Sequence, residues 1–166
     1  MGWILWLGGG LVGLVVAVLS FQVLSMRTGW EPGVKAIRKF TRLMNPRQMR
    51  TAGQPGAYAA VVRHVGRRTG TLYETPVGVV ETDEGLFVAL PYGTSPDWFK
   101  NVMAEGGAEL VYEGETFRVD DPEVVPSAAI DTHTSGVDRF LQRLYGVDQA
   151  LRLRRVASTA DNPASG

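Results

Sequence analysis

The stretch from Arg63 to Asn101 holds the residue types best suited to chemistry. Residues 66–70 read Gly-Arg-Arg-Thr-Gly and form a basic turn between two strand-like runs. Glycines let a ligand approach the main chain, and Arg67 and Arg68 offer planar donor forks that suit phosphate or carboxylate groups. A plain hairpin turn with two solvated arginines is the alternative, and the turn alone favours it because such residues are common in turns.

A helix start at residues 95–101, Ser-Pro-Asp-Trp-Phe-Lys-Asn, follows the third strand-like run. Ser95 is a favourable N-cap and Pro96 a favourable first helical residue. Trp98 offers a large aromatic plate, although it is equally consistent with a core residue. Asn101, which lies between Lys100 and Val102, is harder to explain as packing. The basic turn and this helix together predict a site for an extended anionic ligand with a flat aromatic head.

Composition excludes several classes of chemistry. The chain has no cysteine and two histidines, so a thiolate nucleophile, a disulfide or a typical metal cluster is not expected. Nucleotide-binding glycine motifs and a Ser-His-Asp pattern with a nucleophile elbow are also absent. The formal net charge is zero, but residues 27–68 carry ten bases and one acid, whereas residues 74–131 carry thirteen acids and two bases. The basic part predicts contact with lipid head groups or an anionic cofactor; nucleic acid is not expected, because the acidic part would repel phosphate.

Residues 1–26 carry no charged side chain, and the apolar run from Trp3 to Leu24 would span roughly 33 Å as a helix, enough for a bilayer core. This predicts a single-pass transmembrane anchor. A cleaved signal peptide is the alternative, but the basic n-region that such peptides carry is missing. Because basic residues follow the apolar run and none precedes it, the rest of the chain is expected on the cytoplasmic side of the cell membrane.

Residues 27–56 predict a juxtamembrane helix and a loop. From Gly33 to Asn45, apolar residues recur at helical spacing opposite a basic face, and Pro46 is expected to end the helix. A helix lying on anionic lipid is the favoured interpretation, which would give residues 1–50 a membrane contact. A helix packed on the domain is the alternative.

Residues 57–157 predict a mainly β, α+β domain. Six short antiparallel strands with a helix after the third are typical of a small barrel, and Pro76 indicates an edge or a bulge in the second strand. The predicted strands are residues 58–65, 72–81, 86–90, 108–112, 116–120 and 150–156, with helices at 95–105 and 137–145. Residues 158–166 are rich in Ala, Ser, Asn and Pro and are expected to be disordered.

An ordered set of short segments resembles the deazaflavin-dependent nitroreductase family, within the wider split β-barrel flavin and deazaflavin oxidoreductases. The matching segments are His64 to Gly70, Thr75-Pro76-Val77, Ala89 to Gly93, Asp97 to Val102 and Val119 to Pro122. The resemblance implies a split β-barrel that binds the deazaflavin coenzyme F-420, with FMN as the alternative cofactor. It also implies a homodimer, because sister barrels often pair.

The resemblance assigns two groups of cofactor-binding residues. The phosphate and glutamyl tail of the coenzyme would lie on Gly66, Arg67, Arg68, Thr69 and Gly70, where Arg68 replaces a lysine that is common in the family. The ring would lie against Pro76, Pro91, Tyr92, Gly93, Trp98 and Asn101. No metal is implied.

The implied reaction is hydride delivery from the reduced coenzyme to a lipophilic acceptor, a quinone or a nitro compound. Candidates for a catalytic group are Tyr92, Tyr145 and His133. Pro91 stands where characterised nitroreductases have a serine, and Tyr145 is the one tyrosine in a region where they have several. These departures favour one alternative, a carrier that holds deazaflavin or lipid without turnover. An FMN-dependent relative is a second alternative, since the split barrel accommodates FMN in sister families. The sequence does not name the acceptor.

Overall fold

The computed structural model describes residues 2–130 and 135–156. His133 and the predicted disordered tail lie outside these residues. The described chain forms a closed barrel of six antiparallel strands in the order β1-β2-β3-β6-β5-β4, which confirms the predicted architecture. The strands are β1 (Ala59–Val65), β2 (Leu72–Thr82), β3 (Gly85–Ala89), β4 (Gly107–Tyr112), β5 (Glu115–Pro126) and β6 (Gln149–Arg155). The helices are α1 (Gly2–Thr28), α2 (Glu31–Gln48), α3 (Asp97–Glu105) and α4 (Gly136–Tyr145), with a 3-10 turn at Ser127–Ile130.

Alternating apolar side chains fill the barrel. Val62, Leu110 and Leu151 come from three different strands and are completely buried. Both faces of β3 are buried: Leu86 and Val88 face the main core, while Phe87 packs outside it against Ile130. The 3-10 turn thus covers a part of the barrel wall that would otherwise be exposed to solvent.

The first half of β2 is an edge, as Pro76 predicted. Pro76 pairs with Val61 of β1, whereas the described pairing of β2 with β3 begins only at Val79. A proline is tolerated there because no neighbour on that side needs its missing N–H group. This half of β2 therefore pairs with β1 alone among the described strands.

Two helix boundaries differ from prediction. α2 continues through Pro46 to Gln48, so the predicted end at Pro46 is wrong. A proline inside a helix removes one backbone hydrogen bond and disfavours further helix, and α2 ends two residues after Pro46. Ser95 is not the N-cap of α3: Pro96 is, with extended backbone angles and no side-chain cap, and the Ser95 hydroxyl instead donates to the Tyr92 carbonyl at 3.1 Å. The predicted helix end at Gly106 is confirmed by its left-handed backbone, with φ of 70°.

The N-terminal helices pack on the barrel domain. α1 contacts α2 and α4, and α2 contacts β2. Across the described residues, none of the helices is both long and apolar enough to cross a bilayer, so the predicted transmembrane helix is not supported.

Candidate ligand-binding site

A cavity of about 550 Å³ lies beside the first half of β2, which pairs with β1. Its volume falls within the roughly 300–1,000 Å³ typical of small-molecule sites. The basic turn, the start of α3 and one residue of α2 surround it. The predicted site residues that line it are Gly66, Arg67, Arg68, Thr69, Pro76, Tyr92, Trp98 and Asn101.

The other predicted residues that the structure describes do not line this cavity. Pro91 and Gly93 line a smaller cavity of about 150 Å³, which shares Pro76, Tyr92 and Trp98 with the larger one. Gly70 and Tyr145 line neither cavity. Gly70 instead closes the turn, where its N–H donates to the Gly66 carbonyl at 2.8 Å and its φ is 65°.

The basic turn requires glycine at its first position. A Cβ on Gly66 would lie 2.5 Å from the Thr69 hydroxyl oxygen and 2.8 Å from a ring carbon of Tyr73. The Gly66 N–H also donates to the Thr71 carbonyl at 2.8 Å. The turn is therefore closed and packed on its own side chains.

Arg67 is held by hydrogen bonds to two residues of α3, although the residue as a whole is exposed. Its backbone N–H and Nη1 both donate to Oδ1 of Asn101, at 3.2 and 2.8 Å, and Nη2 lies 3.2 Å from Oδ1 of Asp97. Hydrogen bonding to Arg67 lowers the pKa of the Asp97 carboxyl. The sequence assigned Arg67 to the tail of the ligand and Asn101 to the ring, but the two residues are in direct contact. Arg67 thus ties the basic turn to α3.

Arg68 and Arg38 supply the accessible positive charge. Arg68 is exposed and, within the described chain, has no ion pair or hydrogen bond. Arg38 of α2 also lines the cavity and donates to the Ser95 hydroxyl at 3.4 Å. The acid Glu74 at the rim is held by Arg63 at 2.8 Å. The cavity therefore favours an anionic ligand.

Asn101 continues the network into the barrel. Its Nδ2 lies 3.1 Å from Nδ1 of His64, and Nε2 of His64 lies 3.1 Å from the Thr75 hydroxyl oxygen. His64 also stacks on Tyr73, with ring centroids 5.8 Å apart. Burial lowers the pKa of His64, so the ring is neutral near neutral pH.

Seven cavity residues were not assigned to the site from the sequence: Arg38, His64, Tyr73, Glu74, Thr75, Pro96 and Asp97. Three of them follow strand alternation, since His64 pairs with Tyr73, and Val62 with Thr75, on one face of the β1–β2 pair. Counting alternate residues back from the basic turn could have found them. No local signal identifies Arg38, because its helix precedes the barrel in sequence and reaches the site only through packing.

The fold and the site define a β-barrel protein with a pre-formed, positively charged cavity for an anionic small molecule. The chain belongs to the F420H(2)-dependent quinone reductase family, whose sequence model matches residues 37–133. The resemblance to deazaflavin-dependent reductases is confirmed by this match, and the family is one of oxidoreductases.

Solved structures give weaker likenesses. The heme storage protein HutZ from Vibrio cholerae is 16% identical, with a TM-score of 0.45 over 61% of this chain and 83% of that one. A structure titled F420 Reductase is 15% identical, with a TM-score of 0.42 over 63% of this chain and 90% of that one. No curated protein sequence matches the chain. These likenesses add nothing to the assignment of function, and the homodimer stays a prediction.

Proposed function

We propose that this protein transfers a hydride from a reduced deazaflavin coenzyme to a lipophilic acceptor, a quinone or a nitro compound. The observation that carries the proposal is the cavity, whose lining combines Arg68, which has no ion pair or hydrogen bond among the described residues, with the aromatic Trp98 and Tyr92. The family description names the same coenzyme and a quinone.

The residues of the cavity suit such a coenzyme. An anionic tail needs cationic donors, and Arg68 and Arg38 both line the cavity. A flat ring needs apolar and aromatic walls, and Pro76, Tyr92 and Trp98 supply them where the two cavities meet. FMN shares the ring but lacks the glutamyl tail, so the cluster of arginines favours deazaflavin.

In this proposal the coenzyme supplies the hydride, and the protein supplies position and exclusion of water. Arg68 binds the tail, while Arg67 holds the turn and α3 at a fixed separation through Asn101 and Asp97. Of the three candidate catalytic groups, Tyr92 alone among the described residues lines the cavity. Its hydroxyl is therefore the candidate donor for the proton that reduction of a quinone consumes along with the hydride.

We further propose that α1 and α2 attach the protein to a membrane, with the barrel on the cytoplasmic side. Large apolar side chains of α1 from Val12 to Leu24 are exposed, among them Val12 at 63% and Leu24 at 65%. Such apolar surface favours burial in lipid or protein. Exposed Lys35 and Lys39 on α2 suit anionic head groups. Sedimentation of the full chain with vesicles that contain anionic lipid, but not with neutral ones, tests this; recovery of the chain in the supernatant in both cases would reject it.

A fluorescence titration of oxidised deazaflavin coenzyme into the full-length protein, with FMN in parallel, tests the cofactor. Micromolar or tighter binding of deazaflavin alone supports the proposal, binding of FMN alone favours the flavin relative, and binding of neither rejects both. Turnover is then followed as loss of the reduced coenzyme against a panel of quinones and nitro compounds. Tight binding without oxidation by any of them would favour the carrier, for which the replacement of a serine by Pro91 is the supporting observation.

A further inference from the structure

Hydrogen bonds from Arg67 to Thr75 run in one direction. Arg67 has donors only, so the Asn101 oxygen must face it, and the Asn101 amide nitrogen then faces His64 at 3.1 Å. An amide nitrogen donates only, so Nδ1 of His64 accepts. The neutral ring therefore carries its proton on Nε2, and that N–H donates to the Thr75 hydroxyl oxygen at 3.1 Å.

This direction leaves the hydrogen of the Thr75 hydroxyl free. The oxygen accepts from His64, and no acceptor for the hydroxyl hydrogen is found among the residues that the structure describes. Thr75 pairs with the buried Val62, so its side chain projects from the inner face of β2, and it lines the larger cavity. The free donor is thus available to a molecule in that cavity.

We propose that Thr75 is a ligand-binding residue whose hydroxyl donates to a carbonyl oxygen of the ligand, and that Asn101 and His64 are positioning residues that orient it. The ligand carbonyl belongs either to the coenzyme ring or to a quinone acceptor, so this inference rests on the proposed function. Both carbonyls present the same acceptor atom to the hydroxyl.

The direction of these hydrogen bonds is kept because His64 and Asn101 are shielded from solvent. His64 and Asn101 are 5% and 4% exposed, respectively, and each has its polar atoms paired. Tyr73 stacks on the His64 ring, Asn101 contacts Nδ1 and Thr75 contacts Nε2, while the Asp97 carboxylate is more distant. A buried neutral histidine keeps one tautomer as long as Asn101 donates to it.

Two substitutions at Thr75 test the ligand contact. Thr75→Val keeps the shape and removes the donor, and we expect it to weaken one binding event by roughly three- to tenfold, the range of a single neutral hydrogen bond. Thr75→Ser, which keeps the hydroxyl, should recover most of that loss. A higher dissociation constant for the oxidised coenzyme assigns the carbonyl to the coenzyme; a higher KM for the quinone with unchanged coenzyme binding assigns it to the acceptor. No change in either quantity overturns the contact.

The nitrogen-15 spectrum of the His64 ring tests the orientation without any ligand. In the full chain carrying His133→Gln, which leaves one histidine, we expect a neutral ring with its proton on Nε2. Asn101→Asp removes the donor to Nδ1 and supplies an acceptor, so the ring proton should move to Nδ1. A wild-type ring protonated on Nδ1 overturns the proposal even if Asn101→Asp does not fold. Failure of the wild type to bind any coenzyme rejects the proposed function instead, and this spectrum is independent of that outcome.

Discussion

Replacing Arg68 with glutamine should weaken coenzyme binding and leave folding intact. Arg68 is exposed at the cavity and has no ion pair among the described residues, so its removal strands no buried partner. Exposed substitutions of this kind usually change the free energy of unfolding by less than about 0.5 kcal/mol. The melting temperature is therefore expected to stay near that of the wild type.

The loss of binding follows from the charge-assisted contact. A hydrogen bond to a charged group contributes about 1.5–3 kcal/mol. Since Arg68 is exposed and screened by solvent, the lower end applies, which corresponds to roughly a tenfold rise in the dissociation constant. The difference between Arg68→Gln and wild type should shrink at high salt, because ions screen an exposed charge. A fluorescence titration at low and high ionic strength measures both effects.

Arg154→Gln is the matched control for the loss of charge. The Arg154 side chain is 61% exposed, pairs with Asp121 at 3.1 Å and does not line the described cavities. Arg154→Gln should leave the dissociation constant of the coenzyme within about twofold of that of the wild type. If Arg68→Gln binds the coenzyme as tightly as this control does, the basic turn does not bind the anionic tail of the coenzyme.

Three further predictions concern the barrel and its network. Leu110→Ala removes a completely buried core side chain and should lower the free energy of unfolding by about 2–5 kcal/mol, measured by urea denaturation; a cost below about 1 kcal/mol would contradict the packing. A Cβ on Gly107 would lie 2.3 Å from the Val119 carbonyl oxygen, so Gly107→Ala should lower the melting temperature. Gly136 has open space around it, so Gly136→Ala should not lower it. Equal melting temperatures for the two variants would refute the close strand contact. Burial lowers the pKa of His64 below its usual value of 6.5, so just below pH 6.5 the unfolded chain binds more protons than the folded chain. The free energy of unfolding should therefore fall as the pH drops from 6.5 to the pKa of the folded protein, and level off below that pKa. Equal free energies of unfolding above and below pH 6.5 would contradict the buried neutral ring.

Sequence alone predicted the barrel because local patterns record it. The strand runs alternate or are continuously apolar according to which faces are buried, and turn residues separate them. Pro76 marked the edge half of β2 for a chemical reason, its missing donor. The boundaries at Pro46 and Ser95 were wrong because a single residue only biases a helix end, and neighbouring contacts decide its position.

The basic turn and the aromatic helix start were visible as separate motifs, and residue type alone determined that one is cationic and the other carries an aromatic side chain and an amide. Only the tertiary structure decided that Arg67 bonds to the protein itself while Arg68 has no ion pair or hydrogen bond among the described residues. That difference depends on the contact of Arg67 with Asn101, which is 34 residues away in sequence. The same holds for Arg38, which reaches the cavity from a helix outside the barrel, and for Thr75, whose free donor depends on the direction of hydrogen bonds through His64. Residue types fix which atoms can donate or accept, whereas packing between distant segments fixes which of them remain unpaired.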